Sequence, residues 1–397
     1  MANVKLSNVI RRAQTKVDKD DTDLVFYVGG EHIESENIRV HSRGIIVEST
    51  IGPMFYYGFK AGDFLLVSRN PHLKKAGLVD FDGICSEKTF VLETANSDVL
   101  LPEFLPFVLQ NERFWDYAYR HRHGSTNTFI NWSTLANYEF ELPDLETQRK
   151  LAEVLWSIND TMEAYKNLIS ATDELVKSQF MEQFGSYLGD ETRCATVEQV
   201  CTVFADGDWI ESKDQADDGI RLIQTGNVGN GVYLDKGERA RYIDEETFVR
   251  LNCTEVLPND ILISRLPDPV GRACIIPDGL GKSITAVDCS IVRLKSHVLP
   301  EFFVAYTMTT LYAAQIGSSV TGSTRKRISR KNLGQVVIPT PDIDQQEQFA
   351  AFVRQSDKSK FAIQCCSNLN LSGPQPTRIS PATPLPRGGV HNGKISI

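Results

Sequence analysis

The sequence predicts an α+β fold: two similar domains of mixed strands and helices, each followed by a long helix of coiled-coil character. Three observations predict it. "GSTNTFI" at Gly124 returns as "GSTRKRI" at Gly322, 198 residues on in a chain of 397. Each copy opens with short apolar runs broken by Gly, Asp and Asn, the pattern of strands and turns. A stretch free of Pro and Gly, from Glu146 to Phe184, carries an apolar seam at heptad spacing.

The repeat extends well past the loop. "LPEFLPFVL" at Leu101 pairs with "LPEFFVAYT" at Leu299, and without a gap Asn131 pairs with Ser329, Leu135 with Leu333, Pro143 with Pro341, Asp144 with Asp342 and Gln148 with Gln346. Upstream, with small gaps, "GDFLLVSR" (62–69) resembles "NDILISR" (259–265), and "YVGGEHIE" (27–34) resembles "LIQTGNVG" (222–229). "VKLSNVI" (4–10) likewise resembles "ATVEQVC" (195–201). A period of this length is too long for a solenoid and marks duplication of a whole domain with its trailing segment.

Within each copy "FLLVS" and "ILIS" are expected as buried strands. Pro102 and Pro300 then open a helix at its first position, where a missing N–H costs nothing, and that helix ends before the glycine loop. Asn131 and Ser329 are placed to cap a short helix after the loop. A strand ("YEFEL", "QVVIP") and a Pro-Asp turn lead into the long helix. There Leu151, Leu155, Ile158, Met162, Tyr165, Ile169, Thr172, Val176 and Phe180 are spaced three or four apart. At ~1.5 Å per residue this helix is about 58 Å long. A rod of that length cannot bury its seam against itself, and the equivalent helix of the second copy offers Phe349, Val353, Phe361 and Ile363.

The expected layout is a first domain over 1–142, a central spacer helix over 143–185, a second domain over 186–340 and a short distal helix over 341–364. Residues 365–397 carry five prolines, four glycines and no acidic or aromatic residue, and are expected to be disordered and foreign to the fold. A distal helix cut short at Gln364 would leave Ile169, Val176, Phe180 and Phe184 without partners. At about 1.5–3 kcal/mol for each fully buried apolar side chain, that is a deficit of several kcal/mol.

Composition excludes several classes of function. Apolar residues make up 41% and charged residues 23%, a globular balance, and no apolar run is long enough to span a bilayer. The N-terminal stretch lacks a continuous apolar segment, so no secretory signal is expected and the location is expected to be cytoplasmic. Eight cysteines form no CxxC pair and meet no zinc-spaced histidine, so no metal site is expected. "PDGLGKS" (277–283) fails as a phosphate loop because Ile276 stands where the first glycine belongs. "NPHL" (70–73) lacks the second proline and the aromatic residue of a methyltransferase site. His121 and His123 would face different sides of a helix, and no nucleophile is paired with a base. The chain is therefore expected to be non-catalytic.

Net charge is −9, which argues mildly against nucleic acid as partner. Screening limits each charge to a reach of about 8 Å, however, so local clusters decide. Two stand out, "RHRH" (120–123) and "RKRISRK" (325–331), and both flank the repeated loop. A basic run also suits an ordinary solvated face; its return at matched positions favours a phosphate contact.

This layout resembles the specificity subunit of type I restriction–modification systems over about residues 4–364. The residues that carry the resemblance are the paired "GST…I" loops, the helix starts "LPDLETQRKLAEVL" and "IPTPDIDQQEQFAAFV", and "YVGGEHI". The resemblance implies two target-recognition domains separated by long antiparallel coiled-coil helices, each domain reading half of a bipartite, asymmetric site in double-stranded DNA. It also implies that the helices dock modification methyltransferase subunits, two in number, alongside restriction/translocase subunits. The assembled complex would act as a site-specific DNA adenine methyltransferase and restriction endonuclease. No cofactor belongs to this chain on that view; S-adenosylmethionine, Mg and ATP would belong to partner subunits.

Candidate DNA-binding residues follow. In the first copy they are Arg120, His121, Arg122, His123, Ser125, Thr126 and Asn127; in the second, Ser323, Thr324, Arg325, Lys326, Arg327, Arg330 and Lys331. Candidate base readers are Arg69 and Arg265 after the repeated strand and Gln224, Asn227, Tyr27 and His32 on the early turn, since Arg suits guanine and Gln or Asn suits adenine. Each of these also fits an ordinary turn or core position. Two other classes explain the helices equally well: a coiled-coil scaffold for protein partners, and a free-standing DNA-binding regulator that needs no methyltransferase. Neither a scaffold nor its partners would call for duplicated basic loops.

Overall fold

Short apolar runs become strands in both copies, and they assemble in the same order. The structure is a computed structural model that describes residues 2–322 and 326–371. The side chains of Phe361 and Ile363 lie outside the described residues, as do residues 372–397 of the expected tail. The chain divides into two units, Met1–Ala164 and Tyr165–Ile397.

The first unit opens with β1 (Ala2–Lys5), α1 (Leu6–Val9) and β2 (Ile10–Ala13). There follow β3 (Phe26–Val28), β4 (Gly44–Ile45), β5 (Phe55–Phe59), β6 (Phe64–Val67), β7 (Ala76–Leu78), β8 (Gly83–Ser86) and β9 (Thr89–Thr94). Then come α2 (Leu105–Leu109), α3 (Glu112–Arg120), α4 (Trp132–Leu135), β10 (Glu139–Leu142) and the 40-residue α5 (Leu145–Phe184). The central sheet runs β2-β9-β6-β7 and is antiparallel throughout. A second sheet, β4-β3-β8-β5, contains the parallel pair β3 and β8. β10 returns to pair antiparallel with β1.

The second unit repeats this plan with β11 (Cys194–Thr196), β12 (Cys201–Asp206), β13 (Ile220–Ile223), β14 (Arg241–Ile243), α6 (Glu245–Arg250), β15 (Ile261–Ser264), β16 (Ala273–Ile275), β17 (Ser283–Thr285) and β18 (Cys289–Leu294). It closes with α7 (Pro300–Thr307), α8 (Thr310–Ser319), α9 (Arg330–Gly334), β19 (Val337–Pro339) and α10 (Ile343–Leu371). Its central sheet is β12-β18-β15-β16, again antiparallel; β14-β13-β17 again holds a parallel pair; β19 pairs with β11. The two halves thus share one frame, the first adding β5 at the edge of its second sheet and the second adding α6. β6 and β15 are buried at every position because both faces are covered. Phe64 and Leu66 pack toward the helices, while Leu65 and Val67 pack toward the second sheet.

A buried amide locks each long helix to its unit. Gln148 and Gln346 are both 0% exposed. Gln148 Nε2 donates to the carbonyls of Val99 and Pro143 at 2.9 and 2.8 Å, and its Oε1 accepts from Leu101 N–H at 2.9 Å. Gln346 does the same with His297, Pro341 and Leu299, at 2.9, 2.8 and 2.9 Å.

Four expectations are corrected. The helix expected at Pro102 begins instead at Leu105, because Pro106 has no N–H to offer the Pro102 carbonyl; in the second unit, which has Val304 at the matched place, the helix does start at Pro300. Each of these helices is also broken in two, and the second piece is capped at matched positions: Asn111 Oδ1 accepts from Arg113 N–H at 2.8 Å, and Thr309 Oγ1 from Tyr312 N–H at 3.3 Å.

The seam of α5 is the second. Leu151 and Ile158 are exposed; of the seam's first three residues only Leu155 faces the first unit's core, beside Ala152 and Trp156. The inward face is fixed by Gln148 and continues through Ala152, Leu155, Asn159 and Glu163, so that Ala152, Asn159 and Glu163 stand one residue, or about 100°, around from the expected Leu151, Ile158 and Met162. Two of those residues are polar and invisible to an apolar pattern. Asn159 and Arg39 both donate to Glu163, at 3.1 and 2.7 Å, and the Arg39 guanidinium lies 4.6 Å from the Trp156 ring centre. Burial pushes the Glu163 carboxyl up, but Asn159, Arg39 and His41 together hold it below its ordinary range.

Third, Val176, Phe180 and Phe184 do not lack partners. All three are buried in the second unit's core, where Phe180 lies 5.1 Å from Phe302, 5.5 Å from Tyr306 and 5.4 Å from Phe349 between ring centres. Their partners come from α7 and the start of α10, not from the distal segment. Met162, Tyr165, Ile169 and Val353 are half-buried. Within the second unit the two helices run antiparallel: Lys360 Nζ donates to Asp173 at 2.8 Å, Phe349 meets Phe180, and Tyr187 Oη donates to Gln345 at 3.2 Å. Fourth, α10 continues seven residues past Gln364, since 365–371 hold neither Pro nor Gly.

Candidate nucleic-acid interface

The ends of the repeated loop are held alike in both units. Gly124 and Gly322 adopt φ of 87° and 99°, the left-handed region that favours glycine. A Cβ on Gly124 would also stand 3.1 Å from the Asn127 carbonyl. Each loop is pinched by a two-way backbone pair, His123 with Phe129 at 2.7 and 2.9 Å and Thr321 with Arg327 at 2.9 and 3.0 Å. The next residue ties each loop to the central sheet: Ile130 N–H donates to Ser68 O, and Ile328 N–H to Arg265 O, at 2.9 and 3.2 Å. α4 and α9 follow; Ser329 caps α9 by accepting from Asn332 N–H at 3.1 Å, whereas the Asn131 side chain makes no such bond.

In the first unit Arg120, His121, His123, Ser125, Thr126 and Asn127 are all exposed. Arg122 is half-buried, its guanidinium 3.7 Å from the Tyr119 ring centre and donating to Tyr119 O at 2.6 Å. His121 packs on Tyr117 at 4.1 Å. Arg69 is exposed and faces the loop through a bridge to Phe129. It lines a cleft of about 480 Å³ with Arg12, Lys88, Asn127 and Asn131. The one carboxylate there, Glu87, is held below its ordinary range by the Lys88 ammonium at 2.5 Å, with Tyr56 and Arg69 adding to the effect.

In the second unit Ser323, Thr324 and Arg325 lie outside the described residues. Lys326, Arg327, Arg330 and Lys331 are exposed. Lys326 faces Asp268 at 3.7 Å, and Arg330 donates to Phe204 O at 2.9 Å and pairs with Asp206 at 3.4 Å.

Arg265 and Asn227 do not fit the role of base readers. Arg265 is 3% exposed, donates to Val287 O at 2.5 Å and pairs with Asp206 at 3.3 Å. The cause is a register slip. Matching "GDFLLVSR" to "NDILISR" by their final arginines implies that Arg69 and Arg265 are equivalent, but the loop bonds show that Arg265 stands in the place of Ser68. One residue along a strand turns a side chain to the opposite face. Asn227 is buried; its Oδ1 accepts from Gln224 N–H at 3.0 Å and its Nδ2 donates to Leu234 O at 2.9 Å. Gln224 is half-buried and borders a smaller pocket of about 240 Å³ with Lys236, Arg239 and Arg241. Tyr27 packs edge-on against His32 at 5.1 Å, and His32 Nδ1 accepts from Gly29 N–H at 2.9 Å, so both serve their own turn.

The sequence-based expectation missed Arg12, Lys88, Lys236, Arg239 and Arg241. Each is a lone cation in a strand or a turn, and only the fold gathers them. Among the described residues no helix is long and apolar enough to cross a membrane.

Fold and loops together define a duplicated recognition module, two copies of one α+β frame that present different residues at the same place. The family model described as the type I restriction modification DNA specificity domain matches residues 9–171 and again 192–366, and the chain belongs to that family. Over 130 residues, 32% of this chain, it is 25% identical to the specificity subunit of the type I restriction enzyme HindI of Haemophilus influenzae; the match spans 28% of that relative's length. Three solved structures are similar. One comes from work on complex assembly and conformational transition of the type I R-M system, at 19% identity, 93% of this chain, 96% of that chain and a TM-score of 0.44. The HsdS subunit from Thermoanaerobacter tengcongensis gives 17% identity, 93%, 94% and 0.37. The type I restriction-modification S subunit from M. genitalium gives 12%, 93%, 92% and 0.48.

Proposed function

We propose that this chain is the cytoplasmic DNA-recognition subunit of a type I restriction–modification complex, in which each unit reads half of a bipartite, asymmetric site and the long helices dock methyltransferase subunits. The observation that carries this reading is the pair of loops: matched ends, held by the same backbone bonds in both units, with different exposed polar residues beside them. Cations and hydroxyls there suit phosphate oxygens and set register, while base edges supply sequence. Docking is supported by apolar side chains that α5 leaves in solvent: Leu151, Val154 and Ile158 in the first unit, Leu168 and Leu175 in the second. Methyl transfer and DNA cleavage belong to the partner subunits, with S-adenosylmethionine, Mg and ATP.

Co-expression with a type I modification methyltransferase, followed by mapping of methylated adenines across the host genome, tests the proposal. The expected result is a motif in two parts with a fixed gap. A continuous motif, or none, counts against it.

A further inference from the structure

The two frames match closely enough to compare the strands beside each loop place by place. Ser68 N–H donates to Lys88 O and Arg265 N–H to Asp288 O, at 2.7 and 2.9 Å, so lysine in one unit stands where aspartate stands in the other. Phe90 lies opposite Leu66, and Ser290 opposite Ile263. Arg12 lies opposite Leu92, and Phe204 opposite Val292; Leu92 and Val292 in turn face the first residue of β6 and of β15. Trp132 and Arg330 each begin the short helix after the loop.

None of these places keeps its chemistry, and one pair inverts it. In the first unit the cation is on the strand: Arg12 lies 4.7 Å from the Phe90 ring centre, and Phe90 meets Trp132 at 6.0 Å. In the second unit the cation is on the helix, Arg330 over the ring of Phe204 at 5.8 Å. The frame beneath is kept, with Ile130 and Ile328, Leu135 and Leu333, and Gln148 and Gln346 all buried. A lining exchanged over a retained frame is built to meet a different ligand in each copy.

Asp206 separates base reading from phosphate contact. It accepts from Ser290 Oγ at 3.2 Å, pairs with Arg265 at 3.3 Å and with Arg330 at 3.4 Å, and still leaves about a third of its side chain in solvent. Two guanidiniums fix its direction. A carboxylate facing DNA is repelled by phosphate and gains only from a base amino group. In the first unit Arg69 brings the opposite chemistry, a guanidinium fork, to the cleft beside its loop. Resting on the DNA-recognition function proposed above, we infer that the surface between the loop and the central sheet is where each unit reads base identity. Arg69 addresses an acceptor-bearing base in one half-site, guanine foremost, and Asp206 an amino-bearing base in the other, cytosine foremost.

The test compares the methylated sites of the full complex carrying the unaltered chain, Arg69→Gln, Asp206→Asn or Asp206→Glu. Arg69→Gln is expected to relax one position in one half of the motif by about tenfold or more, and the Asp206 variants one position in the other half. Each variant leaves the opposite half as in the unaltered chain. If Asp206→Asn unfolds the second unit by stranding Arg265, Asp206→Glu keeps the charge, moves the carboxylate by one methylene and decides the matter. A two-part motif unchanged in Arg69→Gln and Asp206→Glu, with all sites modified equally more slowly, assigns these residues to phosphate or to the fold and overturns the inference alone. A variant that alters both halves also overturns it. An unaltered chain that yields no two-part motif removes the proposed function, and this inference with it.

Discussion

Gln148 and Gln346 each spend a whole side-chain amide on three backbone groups. Replacing either glutamine by alanine strands one N–H and two carbonyls at the point where a long helix leaves its unit. A buried group left without a partner costs about 1–3 kcal/mol, so Gln148→Ala and Gln346→Ala are each expected to lose about 3 kcal/mol or more in denaturant unfolding. A loss below about 1 kcal/mol would mean that the amide is replaced by water and that the clamp is not structural. The pairing of these glutamines was visible in the sequence, but their role was not, because their partners, Val99 with Pro143 and His297 with Pro341, are contacts through backbone carbonyls that no side-chain pattern encodes. Arg69 and Arg265 show the reverse failure. Two arginines at the ends of two similar strings look equivalent, yet pairing them inserts a one-residue gap that the strands do not have, and only hydrogen-bond register shows which face each side chain takes.

At the level of elements, what the sequence states by continuous apolar runs and by glycine survives intact. "FLLV" and "ILIS" are buried central strands, and both loop glycines hold positive φ. What depends on a missing N–H four residues along a helix, or on polar residues facing inward, is hidden. The long helix shows both outcomes. Its existence follows from the absence of Pro and Gly, but its inward face was set by Gln148, Asn159 and Glu163 in the first unit, whereas aromatic residues set it in the second. Phe180 touches Phe184, Phe302, Tyr306 and Phe349, so Phe180→Ala is expected to destabilise the second unit by about 3–5 kcal/mol through the cavity it leaves. Leu168, about half exposed on the same helix, is the control: Leu168→Ala should change stability by less than about 0.5 kcal/mol. Thermal or denaturant unfolding of the two variants side by side reads the difference, and equal effects would contradict the core described for this unit.

For the molecule as a whole, the proposed function requires a net charge of −9 to coexist with binding to a polyanion. Screening resolves this, because at physiological salt a phosphate senses charges within about 8 Å and little beyond. The exposed cations of the loops then govern affinity, and they govern it through salt. Each phosphate neutralised releases counterions, and the logarithm of the binding constant falls with the logarithm of salt concentration at a slope of about −0.9 per contact. Arg327 and Lys331 are exposed and form no ion pair among the described residues, so they are the two positions where charge removal is cleanest. In the methyltransferase-loaded complex on a duplex of unrelated sequence, Arg327→Gln with Lys331→Gln is expected to make that slope shallower by about 2. An unchanged slope would place this loop away from the backbone. Complete absence of duplex binding by the loaded complex would favour a scaffold of coiled-coil helices over a reader of DNA, since a scaffold explains α5 and α10 but gives the basic loops no reason to recur at matched positions in both units.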